Sequence, residues 1–151
     1  MTVGHFCNRE VVISGRESTI VAVAQLMRLH HVGDVVIVED KEEGRVPVGI
    51  ITDRDLVVEL IADGVDLDAV TAGDVMSYEL VTARTDDSIW ETLRRMRGQG
   101  VRRMPVVNDQ GGLEGILSLD DILELLADEL SMLAKVPTCA QTREEQLREK
   151  S

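Results

Sequence analysis

Two short stretches of the chain carry residue types that could recognise a ligand. Gly49-Ile50-Ile51-Thr52-Asp53-Arg54-Asp55 and Gly115-Ile116-Leu117-Ser118-Leu119-Asp120-Asp121 each run from a glycine through two aliphatic residues to a hydroxyl, with a carboxylate three residues further on. If the hydroxyl opens a helix, the free N–H groups and the dipole there attract a phosphate, which the hydroxyl can bond as well. A carboxylate one turn inside the helix can accept hydrogen bonds from both hydroxyls of a ribose. The same Thr-x-x-Asp and Ser-x-x-Asp spacing also makes a helix-capping box that needs no ligand. What weighs toward ligand binding is the recurrence of the pattern, each time after Gly-Ile.

Other chemistries lack their residues. Asp53/Asp55 and Asp120/Asp121 are paired carboxylates, but alternate or adjacent positions on a helix do not face one site, which argues against general acid/base work. There is no Ser/His/Asp order, no Walker loop and no C-x-x-C. His5 and Cys7 could ligate a metal with His30 or His31, yet no second close pair completes a site, and Cys7 reads better as a packed apolar side chain. Arg94, Arg95, Arg97, Arg102 and Arg103 crowd five positive charges into ten residues. The first three fall on the solvent face of a helix whose apolar face holds Leu93 and Met96. Nucleic-acid binding is opposed by the lack of stacking aromatics and by a net charge of −12.

The elements that must position the two turns come from a duplication. Shifting the sequence by 69 residues aligns 4–40 with 73–109 without a gap, with Gly4/Gly73, Val12/Val81, Ile20/Ile89, Met27/Met96 and Asp40/Asp109 among the identities; an offset of 66 then aligns 49–62 with 115–128. Thirteen of fifty-one aligned pairs are identical, against about one in sixteen from ordinary residue usage. Each copy reads as β-α-β-β-α. Short strands are expected at Glu10–Ser14 and Glu79–Ala83, and helices follow with apolar positions at Ile20, Val23, Met27 and at Ile89, Leu93, Met96. Ser88 with Glu91 makes a capping box at the second helix start. Apolar runs at Val35–Val38 and Val46–Ile51, and at Met104–Val107 and Leu113–Leu117, are hairpins, and helices at Asp53–Ala62 and Leu119–Leu133 close the copies. The expected division is 4–62 and 74–133 as two domains, 63–73 as a linker, and 134–151 as a polar tail, frayed or disordered from Pro137 onward.

The 151 residues are 44% hydrophobic and 29% charged, enough for a core without disulfides or structural metal. Two cysteines near opposite ends, no basic-apolar leader and no apolar run near about 18 residues point to a cytoplasmic protein away from membranes. The closing helices carry too much apolar surface for one sheet to cover, Leu60/Ile61 and Leu126/Leu130/Leu133 in particular, which predicts a homodimer built on them.

The two copies resemble a tandem pair of CBS domains, the cystathionine-β-synthase-type repeat, over residues 4–133. The resemblance rests on Gly100-Val101-Arg102-Arg103-Met104-Pro105-Val106-Val107, on the two Gly-h-h-Thr/Ser-x-x-Asp turns, and on their order and duplication. It implies an α/β (α+β) fold of two repeats related by a pseudo-two-fold axis. It further implies a regulatory module rather than an enzyme, with clefts for AMP, ADP, ATP, NAD or S-adenosylmethionine and an unidentified regulated protein as partner. Carried over by position, Asp55 and Asp121 would bind ribose hydroxyls, Thr52 and Ser118 the phosphate or ribose. Ser14, Val36, Ala83 and Pro105 would line the adenine slots. Arg103, with Arg102 beside it, would face a ligand phosphate, and Arg54 would add positive charge in the first turn. The first copy departs from the pattern, with Asp34-Val35-Val36-Ile37 where the second has Arg103-Met104-Pro105-Val106, so the two clefts should differ in affinity. A dimerisation scaffold with vestigial clefts and a nucleotide-processing enzyme are the alternatives.

Overall fold

The computed structural model describes residues 1–77 and 79–150. Tyr78 and Ser151, which fall in the expected second domain and polar tail, lie outside the described residues. Contacts divide the chain into Met1–Leu117 and Ser118–Ser151.

A four-residue helix α1 (Val3–Phe6) precedes the first copy. Strand β1 (Ile13–Ser14), helix α2 (Ile20–His30), the hairpin β2 (Asp34–Lys41) and β3 (Gly44–Thr52), and a helix α3 (Asp53–Asp55) that continues as a π-helical turn over Leu56–Ile61 then follow. The three strands order β1-β2-β3, with β1 parallel and β3 antiparallel to β2. The second copy repeats this as β4 (Ala83–Arg84), α5 (Ile89–Gln99), β5 (Arg103–Val107) and β6 (Leu113–Ser118), again in the order β4-β5-β6. The two leading strands are two residues long rather than the five expected.

Aliphatic side chains at helical spacing make the first core: Ile20, Val23 and Met27 of α2 pack with Val35, Ile37 and Ile51 of the hairpin and Leu56 and Leu60 of the closing helix. Thr19 caps α2 by accepting from the Ala22 N–H at 3.1 Å. Ser88 occupies the equivalent N-cap position, and its backbone bridges to Thr2 as that of Thr19 bridges to Thr71, but its side chain makes no capping bond among the described residues. The two helices end alike, with His31 and Gly100 both left-handed, at φ 54° and 66°. Glycine does this without cost, whereas histidine is strained there.

The segment expected as a linker takes part in the first core. Helix α4 (Ala72–Val75) delivers Ala72 and Met76 into it, and its backbone bonds Ser18 O and Arg16 O from Ala72 N and Gly73 N at 2.9 and 2.8 Å. The mirror contact joins α1 to the second copy, Val3 N to Asp87 O and Gly4 N to Thr85 O, each 2.9 Å. The leaders are therefore exchanged: each copy's opening segment packs on the other copy. This accounts for the identity of Gly4 and Gly73, because a Cβ at either would sit about 3 Å from the backbone it bonds (2.9 Å to Thr85 O; 3.2 Å to Arg16 O).

The second unit is one helix, α6 (Leu119–Glu149), of 31 residues. It runs on past Leu133 and through Pro137, where the sequence signals had suggested fraying. Proline removes one backbone bond, and the flanking Ala, Gln, Glu, Lys and Arg residues are strong helix formers.

Candidate functional site

Thr52 ends β3 opposite Asp34, the first residue of β2. A bond from Asp53 N to Gly33 O, 2.9 Å, holds this end of the hairpin closed. Thr52 is the N-cap of α3: its hydroxyl accepts from the Asp55 N–H at 3.2 Å, and Asp55 Oδ2 accepts from the Thr52 N–H at 2.9 Å. The second turn has the same geometry within its own unit. Ser118 Oγ accepts from Asp121 N at 3.1 Å, while Asp121 Oδ2 accepts from Ser118 N at 3.3 Å and from its hydroxyl at 2.7 Å. Both motifs thus form capping boxes, and in each the carboxylate's other oxygen makes no bond among the described residues.

A third box, at Thr71 and Asp74, lies outside either motif: Asp74 Oδ2 accepts from Thr71 N at 2.9 Å and from its hydroxyl at 3.1 Å. The Thr-x-x-Asp spacing that reveals it was present in the sequence, inside the segment read as linker.

Arg103 reaches the Thr52 turn. Its Nε lies 3.3 Å from Asp34 Oδ1, with side chains 31% and 15% exposed. Gly33, where a Cβ would come within 3.1 Å of Asp53 Oδ2 and 3.4 Å of Arg103 Nη2, marks where carboxylate and guanidinium converge. Thr52, Asp34, Asp53 and Arg103 are therefore brought together. Spacing gave no sign that Asp34 and Asp53 would meet Arg103. Arg54 and Arg102 are exposed and form no ion pair among the described residues.

The expected adenine-lining residues are mostly closed in. Val36 and Ala83 are fully buried and Pro105 is buried in β5, while the half-buried Ser14 donates to Ser18 Oγ at 2.6 Å. A cavity of about 530 Å³ opens next to Ser14, lined by Gly15, Arg16, Glu17, Ser18, Val38 and Glu39 and crossed by the Arg16–Glu39 ion pair. It lies toward the end of β2 away from Thr52.

Of the clustered arginines, Arg95 is engaged by Asp87 at 2.9 Å and by Thr82 O. The hydrogen bond that Arg84 donates to Asp109, together with the charges of Asp109 and Asp86, raises the pKa of Arg84 above its ordinary value. His5 Nδ1 bonds the Thr2 hydroxyl at 2.7 Å, and Cys7 lies against Gly115. Among the described residues no group of three His, Cys, Asp or Glu could hold a metal ion, and no helix is long and apolar enough to cross a membrane.

The family model for the CBS domain matches the chain twice, at residues 3–62 and 72–128. An uncharacterized protein of Methanopyrus kandleri is 40% identical over 125 residues, covering 83% of this chain and 62% of that protein. Hypoxic response protein 1 of Mycobacterium tuberculosis is 34% identical over 121 residues, 80% of this chain and 82% of that protein. A crystal structure of Hypoxic Response Protein I with two coordinated zinc ions superposes with a TM-score of 0.71 at 33% identity over 82% of this chain and 98% of that one. The CBS domain pair of protein MJ0100, solved with 5′-methylthioadenosine and S-adenosyl-L-methionine, shares the fold at a TM-score of 0.74 and 23% identity, covering 85% and 98% of the two chains.

Proposed function

The chain belongs to the CBS domain family, and from that premise we propose that it is a non-catalytic regulatory module. It binds an adenosine-containing ligand and alters a partner protein's activity through its own dimer. The observation that carries this reading is the duplicated Gly-h-h-Thr/Ser-x-x-Asp turn, in which one carboxylate oxygen caps the helix and the other is left for a ribose hydroxyl. The ligands of the MJ0100 domain pair support the adenosine class. Exposed Ile61, Leu130 and Leu133 on the closing helices support self-association.

A thermal-shift and calorimetry panel of adenosine, AMP, ATP, NAD and S-adenosylmethionine against the guanosine counterparts tests it. A ligand at 100 times its dissociation constant should add about 2.7 kcal/mol. Silence from every adenosine ligand up to millimolar concentration would leave the second reading, a dimerisation scaffold. That reading is favoured by the capping boxes being complete without a ligand, as the Thr71/Asp74 box also is.

A further inference from the structure

We propose that an apolar seam along α6 pairs with the same helix of a second copy, antiparallel, so that the chain dimerises largely through residues beyond its two repeats. The inference rests on the self-association proposed above and deepens it to a surface, an orientation and a register.

From Leu126 to Lys150 every residue is exposed, and residues 129–150 lie outside both stretches matched by the CBS family model. Most helical stability in proteins comes from packing an apolar face, and Pro137 removes a backbone bond from this helix. Such a helix needs a cover for its apolar face. Leu123, Leu126, Leu130 and Leu133 recur at alternating spacings of three and four and are 36% to 68% exposed. The alternation continues through Pro137, Ala140 and Glu144 to Leu147, itself 59% exposed. A spacing of this kind, sustained over this length, is the seam of a two-helix coiled coil.

Charge and shape choose the orientation. Parallel pairing would set Glu144 against Glu144 of the second copy inside the seam, with Arg143 beside Arg148 of the second copy on its flank. Antiparallel pairing with Leu133 opposite Pro137 of the second copy also sets Leu123 opposite Leu147, and Leu130 opposite the smaller Ala140. Glu144 then faces Leu126 of the second copy rather than a like charge, and keeps Arg148 of its own helix at 3.9 Å. The flanks agree. Glu129 comes beside Arg143 of the second copy and Asp120 beside Arg148 of the second copy, each pair made twice by the two-fold symmetry. A shift of one heptad in either direction carries Leu123 and Leu126, or Leu147, past the end of the facing helix, so this register covers all five leucines of the seam.

Sedimentation equilibrium on the full chain tests the proposal, with circular dichroism to check that each variant keeps its helix. We expect the unaltered chain to be a dimer at micromolar concentration. Leu147→Asp should weaken the dimer at least about tenfold, since each copy of the seam loses a covered leucine. Glu129→Arg and Arg143→Glu should each weaken it about threefold or more, and the two together should restore it to within about twofold. A dimer that Leu147→Asp weakens by less overturns the proposal and leaves self-association intact; if Leu147→Asp unwinds the helix end, the charge exchanges decide alone. Single charge changes without effect, or a double exchange that fails to restore the dimer, also overturn it, because parallel pairing puts Glu129 beside Ala134 instead. A monomer overturns both this inference and the self-association proposed above, without touching adenosine binding.

Discussion

Met76 fills the space that Gly49 leaves by having no side chain. A Cβ at position 49 would lie 2.7 Å from Met76 Cγ and 2.8 Å from its Cβ, and Met76 is only 3% exposed. The same relation holds at the equivalent positions in the second copy, where a Cβ at Gly115 would lie 2.7 Å from Cys7 Sγ and 2.8 Å from Asn8 O. The glycine that opens each ligand-type motif is thus required by packing against an exchanged leader, whatever binds nearby.

Gly49→Ala should therefore destabilise the chain by about 1–3 kcal/mol through overpacking. Met76→Ala alone should cost about 2–5 kcal/mol as a cavity. Together they should cost less than the sum, with a coupling of at least about 0.5 kcal/mol, because the smaller side chain makes room for the added methyl. Urea denaturation of the four chains measures this, and strict additivity would show that the two residues do not compete for one space.

Thr92 is fully buried in α5, and its hydroxyl is a buried polar atom with no hydrogen-bond partner among the described residues. The equivalent position in the first copy is Val23, also fully buried. Thr92→Val removes an unsatisfied buried polar group while nearly keeping the shape, so it should stabilise by roughly 1 kcal/mol. The urea midpoint should rise with an unchanged slope. A lower midpoint would mean that the hydroxyl is satisfied in solution.

Among the described residues three capping boxes rest on an aspartate, Asp55, Asp74 and Asp121, and two of them lie in the motifs. Asp55→Ala, Asp121→Ala and Asp74→Ala should each lose about 0.5–2 kcal/mol of stability. Only the first two should weaken an adenosine ligand, by tenfold or more, since a carboxylate bonded to ribose hydroxyls contributes on the order of 1.5–3 kcal/mol. Asp74→Ala should leave the affinity within twofold. If all three variants leave it unchanged, the motifs are caps and nothing more.

What was legible in the sequence was whatever depends on local periodicity. The duplicated β-α-β-β-α order follows from aliphatic residues at helical and strand spacing, and the capping boxes follow from a hydroxyl and a carboxylate three apart. Contacts between the copies were not legible. Nothing in the spacing of Asp34 and Arg103 shows that aligned residues meet, and the absence of Arg from the first copy looked like an omission until its replacement was found paired with its counterpart. Thr19 and Ser88 make equivalent bridges to the exchanged leaders, yet only Thr19 caps its helix, a difference that nothing in their spacing shows. At Pro137 a local breaking signal was outweighed by the helix-forming residues on either side. His31 carries the left-handed cap that Gly100 makes plain in the second copy, and histidine does not announce that conformation.

The exchange of leaders bears on ancestry. A lone ancestral repeat would have had no second half in its own chain to supply the side chain that packs over its strand glycine, or to receive its opening segment. Two identical chains trading their first residues would have met both needs. In the present chain the duplication makes that trade intramolecular. Severing the chain between α3 and α4 should accordingly yield fragments that are obligate companions, each holding the piece that completes the other's core.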